Sequence, residues 1–286
     1  MKKPGKSGTL KFFDYKWRRS ELWSVQTEAI YTRWYLARYG FQSLAGLRAF
    51  LRDKTRILDA GCGQGRVSKM LAGLNPRAAI IAMDLAANAL RTARQMLRPF
   101  PNCSVVRADI TNFRNLGTFD FISCDQVLHH TSDPEKTLRH FYSKLTPGGT
   151  LAFSMSRKKN LIRDAVDDAI MERAATLSPR ELWKFAEVVT RFGAALHGLN
   201  ISPFVFGGKR YPNLQRFVHD QVFRAWYQPE IDFQLSVSSN YDWFSSNPRF
   251  SAAEVRAFMR SGLGPHKIVN FYEDDPTISV VIRKHV

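Results

Sequence analysis

Arg56-Ile57-Leu58-Asp59-Ala60-Gly61-Cys62-Gly63-Gln64-Gly65 is the stretch that decides the fold. It opens as a short apolar strand and runs into alternating glycines, after which Val67, Met70 and Leu71 recur at helical spacing. Strand, tight turn and helix in that order leave free backbone N–H groups at the head of the helix. Glycine in the turn permits positive φ and a close approach of backbone to ligand. Such a turn suits a nucleotide-like ligand, although a glycine triplet alone also fits an ordinary strand-to-helix turn in an open sheet.

Working outward, residues 79–84 read as a second buried strand ending in Asp84, nineteen residues after Gly65. A carboxylate there can accept from two ribose hydroxyls. A helix is expected over 87–97, then a third strand over 104–110 with Asp109 near its carboxyl end, and a fourth over 119–126. Asp133 is placed to cap a helix that has Pro134 in its first turn and Leu138, Phe141, Tyr142 and Leu145 at helical spacing. That helix stops at Pro147-Gly148-Gly149, and a fifth strand spans 150–155. Strands alternating with helices imply right-handed crossovers and a parallel sheet covered on both faces, with ligands outside the carboxyl ends of the strands.

The chain's 286 residues allow two domains, or one domain with a large insertion. With 44% hydrophobic and 23% charged residues, the composition excludes a mainly disordered, collagenous or coiled-coil chain. No apolar run reaches the roughly 18 to 20 residues that span a bilayer, and Met1-Lys2-Lys3 leads into Pro4, Gly5 and Ser7 rather than an apolar stretch. A cytoplasmic location is the expectation. Cys62, Cys103 and Cys124 are too few and too scattered for a disulfide framework, and acids and histidines do not cluster at ligand spacing, so no metal is expected.

The formal charge of +17 is the unusual number. A field of that sign can steer nucleic acid, an anionic membrane surface or an anionic substrate, or it can be a solvated basic surface. Part of the excess is local, because Lys2, Lys3, Lys6, Lys11, Lys16, Arg18 and Arg19 face only Asp14 in the first twenty residues.

Taken together, the motif at 57–65, the acid Asp84, Ala108-Asp109-Ile110, and Val127-Leu128-His129-His130 leading to Leu145-Thr146-Pro147-Gly148-Gly149-Thr150 resemble the class I S-adenosylmethionine-dependent methyltransferases, in the small-molecule branch. The resemblance covers residues 50 to 156. It implies a seven-stranded Rossmann-like α/β sheet with helices on both faces and S-adenosylmethionine as cofactor. Gly61, Gly63 and Gly65 would form the loop at the methionine part, with Asp59 ordering that loop. Asp84, with Leu85 beside it, would hold the ribose, Asp109 would accept from the adenine amino group, and Ile110 would meet the adenine edge. Asp125 and Gln126 would lie beside the methyl donor. His129 and His130, just past the fourth strand, are the nearest candidates for a catalytic base, and a Leu-His-His at this junction equally serves to fix the turn.

After Ser156 the family pattern does not resume until a capping box at Ser251-Ala252-Ala253-Glu254, followed by strand-like runs at 267–272 and 277–282. Four segments follow: 1–50, a basic and aromatic helical segment covering the site; 51–156, the cofactor-binding core; 157–248, a mostly helical lid; and 249–286, the last helix and two strands. A helix is expected to start at Ser178-Pro179-Arg180-Glu181, and another to carry Leu214, Phe217, Val218, Val222, Phe223 and Trp226 as its apolar stripe. Fifteen of the chain's 36 aromatic residues lie between Trp183 and Phe250. Most build the lid's own core, whereas Tyr241 and Trp243, in a loop-like stretch, are the candidates to line an apolar or aromatic substrate pocket.

Methylation of O, N or C on a small, apolar or aromatic metabolite, with or without an anionic group, is the expected activity. The alternatives are a nucleic-acid or protein methyltransferase, or a non-catalytic binding module of the same fold. Cys124-Asp125-Gln126-Val127 departs from the Asn/Asp-Pro-Pro-aromatic sequence used on exocyclic amines, which argues against nucleic acid. A homodimer is compatible with the sequence, which leaves oligomeric state open.

Overall fold

Helix α1 (Lys6–Trp17) is followed by α2 (Val25–Tyr39) and α3 (Leu44–Leu51), the last started by Ser43, whose hydroxyl accepts from Gly46 N. These belong to a computed structural model that describes residues 6–18, 25–199, 201, 203–245, 248–274 and 276–286. Lys2, Lys3 and Arg19 of the basic leader lie outside the described residues. The chain divides into two units, one of Glu28–Arg157 with Pro248–Val286, the other of Met1–Thr27 with Lys158–Asn247. The first fifty residues, read from the sequence as one segment, are thus shared between the units.

The first unit is built on a sheet. Apolar runs give β1 (Arg56–Ala60), β2 (Ala79–Asp84), β3 (Cys103–Arg107), β4 (Phe119–Cys124) and β5 (Leu145–Ser156), separated by α4 (Arg66–Leu74), α5 (Ala87–Leu97) and α6 (Pro134–Ser143). Asp133 caps α6, accepting from Lys136 N at 2.9 Å, with Pro134 in the first turn. Two expected strands are shorter than the sequence suggests: β3 ends at Arg107 and β4 at Cys124, so that Asp109, Ile110, Asp125 and Gln126 stand just beyond strand ends. The fifth is longer, because Leu145 already pairs with Phe119 and the Pro147-Gly148-Gly149 turn becomes a register shift within β5.

In the second unit, α7 (Leu161–Ala174) and α8 (Pro179–Gly198) lead to the hairpin β6 (Phe204–Phe206) and β7 (Lys209–Tyr211), then α9 (Leu214–Gln221) and α10 (Phe233–Ser245). Gly207 and Gly208, at φ 55° and 76°, make the hairpin turn that a side chain would strain. Ser178 and Glu181 form the capping box of α8. Gly193 marks close packing, since a Cβ there would meet Ala225 O at 2.7 Å. Two expectations fail here. The apolar stripe over 214–226 stays helical only to Gln221, and the stretch holding Tyr241 and Trp243 is helix α10, not loop. Phe12 of α1 joins Leu182, Trp183, Ala186, Val237, Tyr241 and Phe244 in this unit's core.

The chain returns to the first unit with α11 (Ala252–Gly262), capped by the Ser251–Glu254 box, and the strands β8 (His266–Asp274) and β9 (Thr277–Lys284). The seven strands run in the order β3-β2-β1-β4-β5-β9-β8. The first five are parallel, and β9 is antiparallel to both β5 and β8. One face packs Leu58, Met83, Ile122, Phe153 and Val280 with Phe141 of α6 and Met259 of α11. The other packs Ile57, Ile80, Phe121 and Ala152 with Tyr35, Leu47 and Leu71. A parallel sheet buried on both faces directs polar chemistry to its strand ends.

Candidate functional site

At the carboxyl end of β1 the glycine loop is held by its neighbour strand: Gly61 N and Cys62 N both donate to Met83 O at 2.8 Å. Gly61, Gly63 and Gly65 have φ of 81°, 54° and 90°, the left-handed region in which only glycine is unstrained. Gly61 is required for a second reason, since a Cβ there would meet both Val127 methyls at 2.5 Å. Asp84, ending β2, accepts from Gly63 N at 2.9 Å and Ala86 N at 2.8 Å, so one carboxylate ties the loop to the start of α5. Leu85 beside it is half-buried, and its carbonyl accepts from Arg107 Nε at 3.2 Å. Asp109 folds its own loop, accepting from Thr111 N at 2.9 Å and Thr111 Oγ1 at 2.7 Å, with Ile110 buried next to it.

Asp59 is 1% exposed and accepts from Ser68 Oγ of α4 at 2.5 Å. Burial pushes its carboxyl from 3.8 up to about 7, against the lowering effect of Ser68 and of Arg66, so that near neutrality it is poised between its two charge states. Asp125, past β4, is held by two residues of α2: Arg38 Nη2 donates to Oδ2 at 2.9 Å and Tyr39 OH to Oδ1 at 2.9 Å. Tyr35, one turn earlier, shares a 3.0 Å hydrogen bond with Ser123 Oγ of β4. Arg66, at the first position of α4, sets its guanidinium 3.4 Å from the Tyr31 ring centroid. Gln126 takes φ 61°, uncommon for a residue with a side chain, and its N–H donates to Ser154 Oγ at 2.8 Å. Backbone strain of this kind concentrates at working sites.

His129 and His130 form the 3-10 turn Leu128–His130, with ring centroids 4.1 Å apart. His129 is buried, and burial followed by His130 pushes its pKa well below the usual 6.5. Tyr241 and Trp243 lie in the second unit, where Tyr241 OH donates to Phe12 O at 3.0 Å and Trp243 Nε1 to Asp167 at 2.8 Å.

The loop glycines, Asp59, Asp84, Asp109, Ile110, Asp125 and Gln126 therefore stand at the carboxyl ends of four neighbouring strands, β3, β2, β1 and β4. Sequence reasoning missed Tyr35, Arg38 and Tyr39. The available signal was the spacing of Tyr31, Tyr35 and Arg38, which places polar aromatic and basic groups on one face of a helix. Among the described residues no group of three or more His, Cys, Asp or Glu is placed to hold a metal ion, and no helix is long and apolar enough to cross a membrane.

A protein family described as a methyltransferase domain matches residues 51–211. The chain is 32% identical over 110 residues to the trans-aconitate 2-methyltransferase of Azoarcus sp., which covers 38% of this chain and 42% of that protein. It is 36% identical over 104 residues to the ubiquinone biosynthesis O-methyltransferase of Xanthomonas campestris, covering 35% and 42% respectively. Among solved structures, the magnesium protoporphyrin IX methyltransferase of Synechocystis with bound SAH aligns over 85% of this chain and 82% of that chain, at 15% identity and a TM-score of 0.47. The chain spans roughly a quarter to a half of the length of such curated relatives.

Proposed function

The chain belongs to the methyltransferase-domain family, and from that premise we propose that it is an S-adenosylmethionine-dependent methyltransferase whose acceptor is a small metabolite carrying an anionic group. The observation that carries the reading is Asp84. It is an acid at the end of β2 that already fixes the glycine loop through Gly63 N–H and is half-buried at the loop's mouth. The residues fit the cofactor on a second count: the Gln64 side-chain amide, between Gly63 and Gly65, is buried with neither its oxygen nor its nitrogen hydrogen-bonded. Buried polar atoms without partners are rare in folded proteins and call for an explanation.

S-adenosylmethionine supplies an electrophilic methyl group on a sulfonium. Gly61, Gly63 and Gly65 would cradle its amino-acid end through backbone, Asp84 and Leu85 the ribose, and Asp109 and Ile110 the adenine. Asp59 and Asp125 bring negative charge to the side on which a cation must be accepted, and Arg38 and Tyr39 act as positioning residues that hold Asp125 still. For the acceptor's proton the better candidate is His130. His129, pushed well below its usual pKa by burial, holds a proton poorly, whereas His130 is only half-buried. Acceptor recognition is assigned to the helical insertion, though not to Tyr241 and Trp243 as pocket walls, since both are packed in that unit's core.

Calorimetric titration of the purified protein with S-adenosylmethionine and S-adenosylhomocysteine, beside NADH and a short RNA, tests this reading. Saturable binding of the first two alone is expected. Binding of NADH or RNA in their place would overturn it.

A further inference from the structure

The helical unit buries two arginines around one acid. Arg163 of α7 is fully buried and Arg224, three residues past α9, is 3% exposed. Asp167, also fully buried, accepts from Arg163 Nε at 2.8 Å, from the backbone N–H of Arg224 at 3.0 Å and from Trp243 Nε1 at 2.8 Å. The Arg224 guanidinium is left with a different partner, donating from Nη2 to Ser239 Oγ at 2.6 Å. Its Nε and Nη1 are buried without a hydrogen-bond partner. The guanidinium centre lies 4.6 Å from the Trp243 ring centroid, over which Arg163 also sits at 5.6 Å.

Asp167 and Asp242 act on this charge without bonding the guanidinium, and the acids around it are engaged elsewhere. Asp220 pairs with Arg216 and Lys209, Asp242 pairs with Lys16, and Asp164 accepts from Lys159 N. His219 is held neutral near pH 7, because burial and then Arg163 and Arg224 push it well below its usual value. Burial first and Arg163 second push Arg224 down to about 9, against the raising effect of Asp167 and Asp242. A guanidinium does not shed its proton inside a protein, and a buried cation short of an anion is strongly destabilising. The same planar fork matches a carboxylate or phosphate through paired N–H bonds.

We propose that Arg224, flanked by Arg163 and Trp243, is an anion-recognition site of the helical insertion, taking the carboxylate or phosphate ester of a small organic molecule. As the acceptor's anchor this rests on the reading of the acceptor as a small anionic metabolite.

The test titrates the full chain with benzoate, phenyl phosphate and the neutral benzyl alcohol, following heat uptake and thermal midpoint, with S-adenosylhomocysteine titrated into the same samples. At least one anion binds saturably at one per chain and raises the midpoint, and benzyl alcohol does not. The preferred anion tells a carboxylate site from a phosphate-ester site. Arg224→Met weakens that binding roughly tenfold to a hundredfold, the loss of charge-assisted hydrogen bonds, while Arg224→Lys, which keeps a point charge, retains a measurable part of it. Arg224→Lys guards against a Met variant that fails to fold. Wild-type protein that binds S-adenosylhomocysteine but neither anion overturns the site. So does Arg224→Met that binds the anion as the wild type does. Anion binding without S-adenosylhomocysteine binding leaves the site standing and removes the methyltransferase reading instead.

Discussion

Asp59 is the residue whose chemistry depends most on where it is buried. Its carboxyl is raised from 3.8 to about 7, so the folded chain holds a proton there that the unfolded chain has released, and this group's contribution to stability falls as pH rises from about 4 to 7. A cationic cofactor favours the ionised form. Affinity for S-adenosylmethionine therefore falls as pH is lowered through 7, with proton release on binding, whereas Asp59→Asn flattens that profile and is no less stable than wild type at pH 8. Titration calorimetry in buffers of different ionisation enthalpy reads the released proton, and an unchanged profile in Asp59→Asn assigns the pH dependence to another group. Asp84→Ala removes a charged acceptor, and the expected loss is about 1.5 to 3 kcal/mol, roughly ten- to hundredfold in cofactor affinity by the same measurement. Near-normal affinity would sink the ribose assignment. Both acids were legible in the sequence because each sits at a fixed offset from a strand end. Arg38 and Tyr39 were not, since the acid they hold lies 87 and 86 residues further along the chain.

Between elements, two contacts set the site's shape. The first is the approach of the β1 loop to the turn after β4, where Gly61 leaves room for Val127. Gly61→Ala meets both a positive φ and the Val127 methyls, and destabilises by on the order of 3 kcal/mol in urea titration. Val127→Ala in the same chain recovers the steric share, so a double-mutant cycle gives a favourable coupling. Additive effects would mean that φ alone is responsible. The second is the docking of α2 through Arg38 and Tyr39 on Asp125. Arg38→Met leaves a carboxylate that is 5% exposed with Tyr39 alone, and the expected loss is about 3 kcal/mol in the same urea titration. A loss below about 1 kcal/mol would show that solvent reaches Asp125. Elements whose ends are written locally were readable in advance: Asp133 with Pro134, Ser178 with Glu181, and Ser251 with Glu254 all cap the expected helices. Elements fixed by distant partners were not. The apolar spacing continues past Gln221, yet the chain leaves the helix where Arg224 N donates to Asp167. The Ser-rich run before Tyr241 looks like loop, yet it is helical where Asn240 reaches Thr190 and Trp226 O.

At the scale of the molecule, the +17 charge acts on the two partners of the proposed reaction with opposite sign. S-adenosylmethionine carries one carboxylate against an ammonium and a sulfonium, so it approaches a positive protein as a net cation, while an anionic acceptor is drawn in. Raising ionic strength from about 0.05 to 0.5 M shortens the screening length from roughly 14 Å to roughly 4 Å and removes most of that long-range field. The expected outcome is a fall in kcat/KM for the acceptor, together with an unchanged or improved KM for S-adenosylmethionine, measured across that salt range. S-adenosylhomocysteine, with no net charge, serves as the control whose affinity stays level. The acceptor's slope distinguishes two uses of the same charge. A diffuse field gives a dependence that Arg224→Met leaves intact while lowering the absolute rate, because surface lysines and arginines still steer the encounter. If instead Arg224→Met abolishes the salt dependence, the buried arginine itself carries the attraction, and the surface excess is a solvated coat with no part in substrate capture.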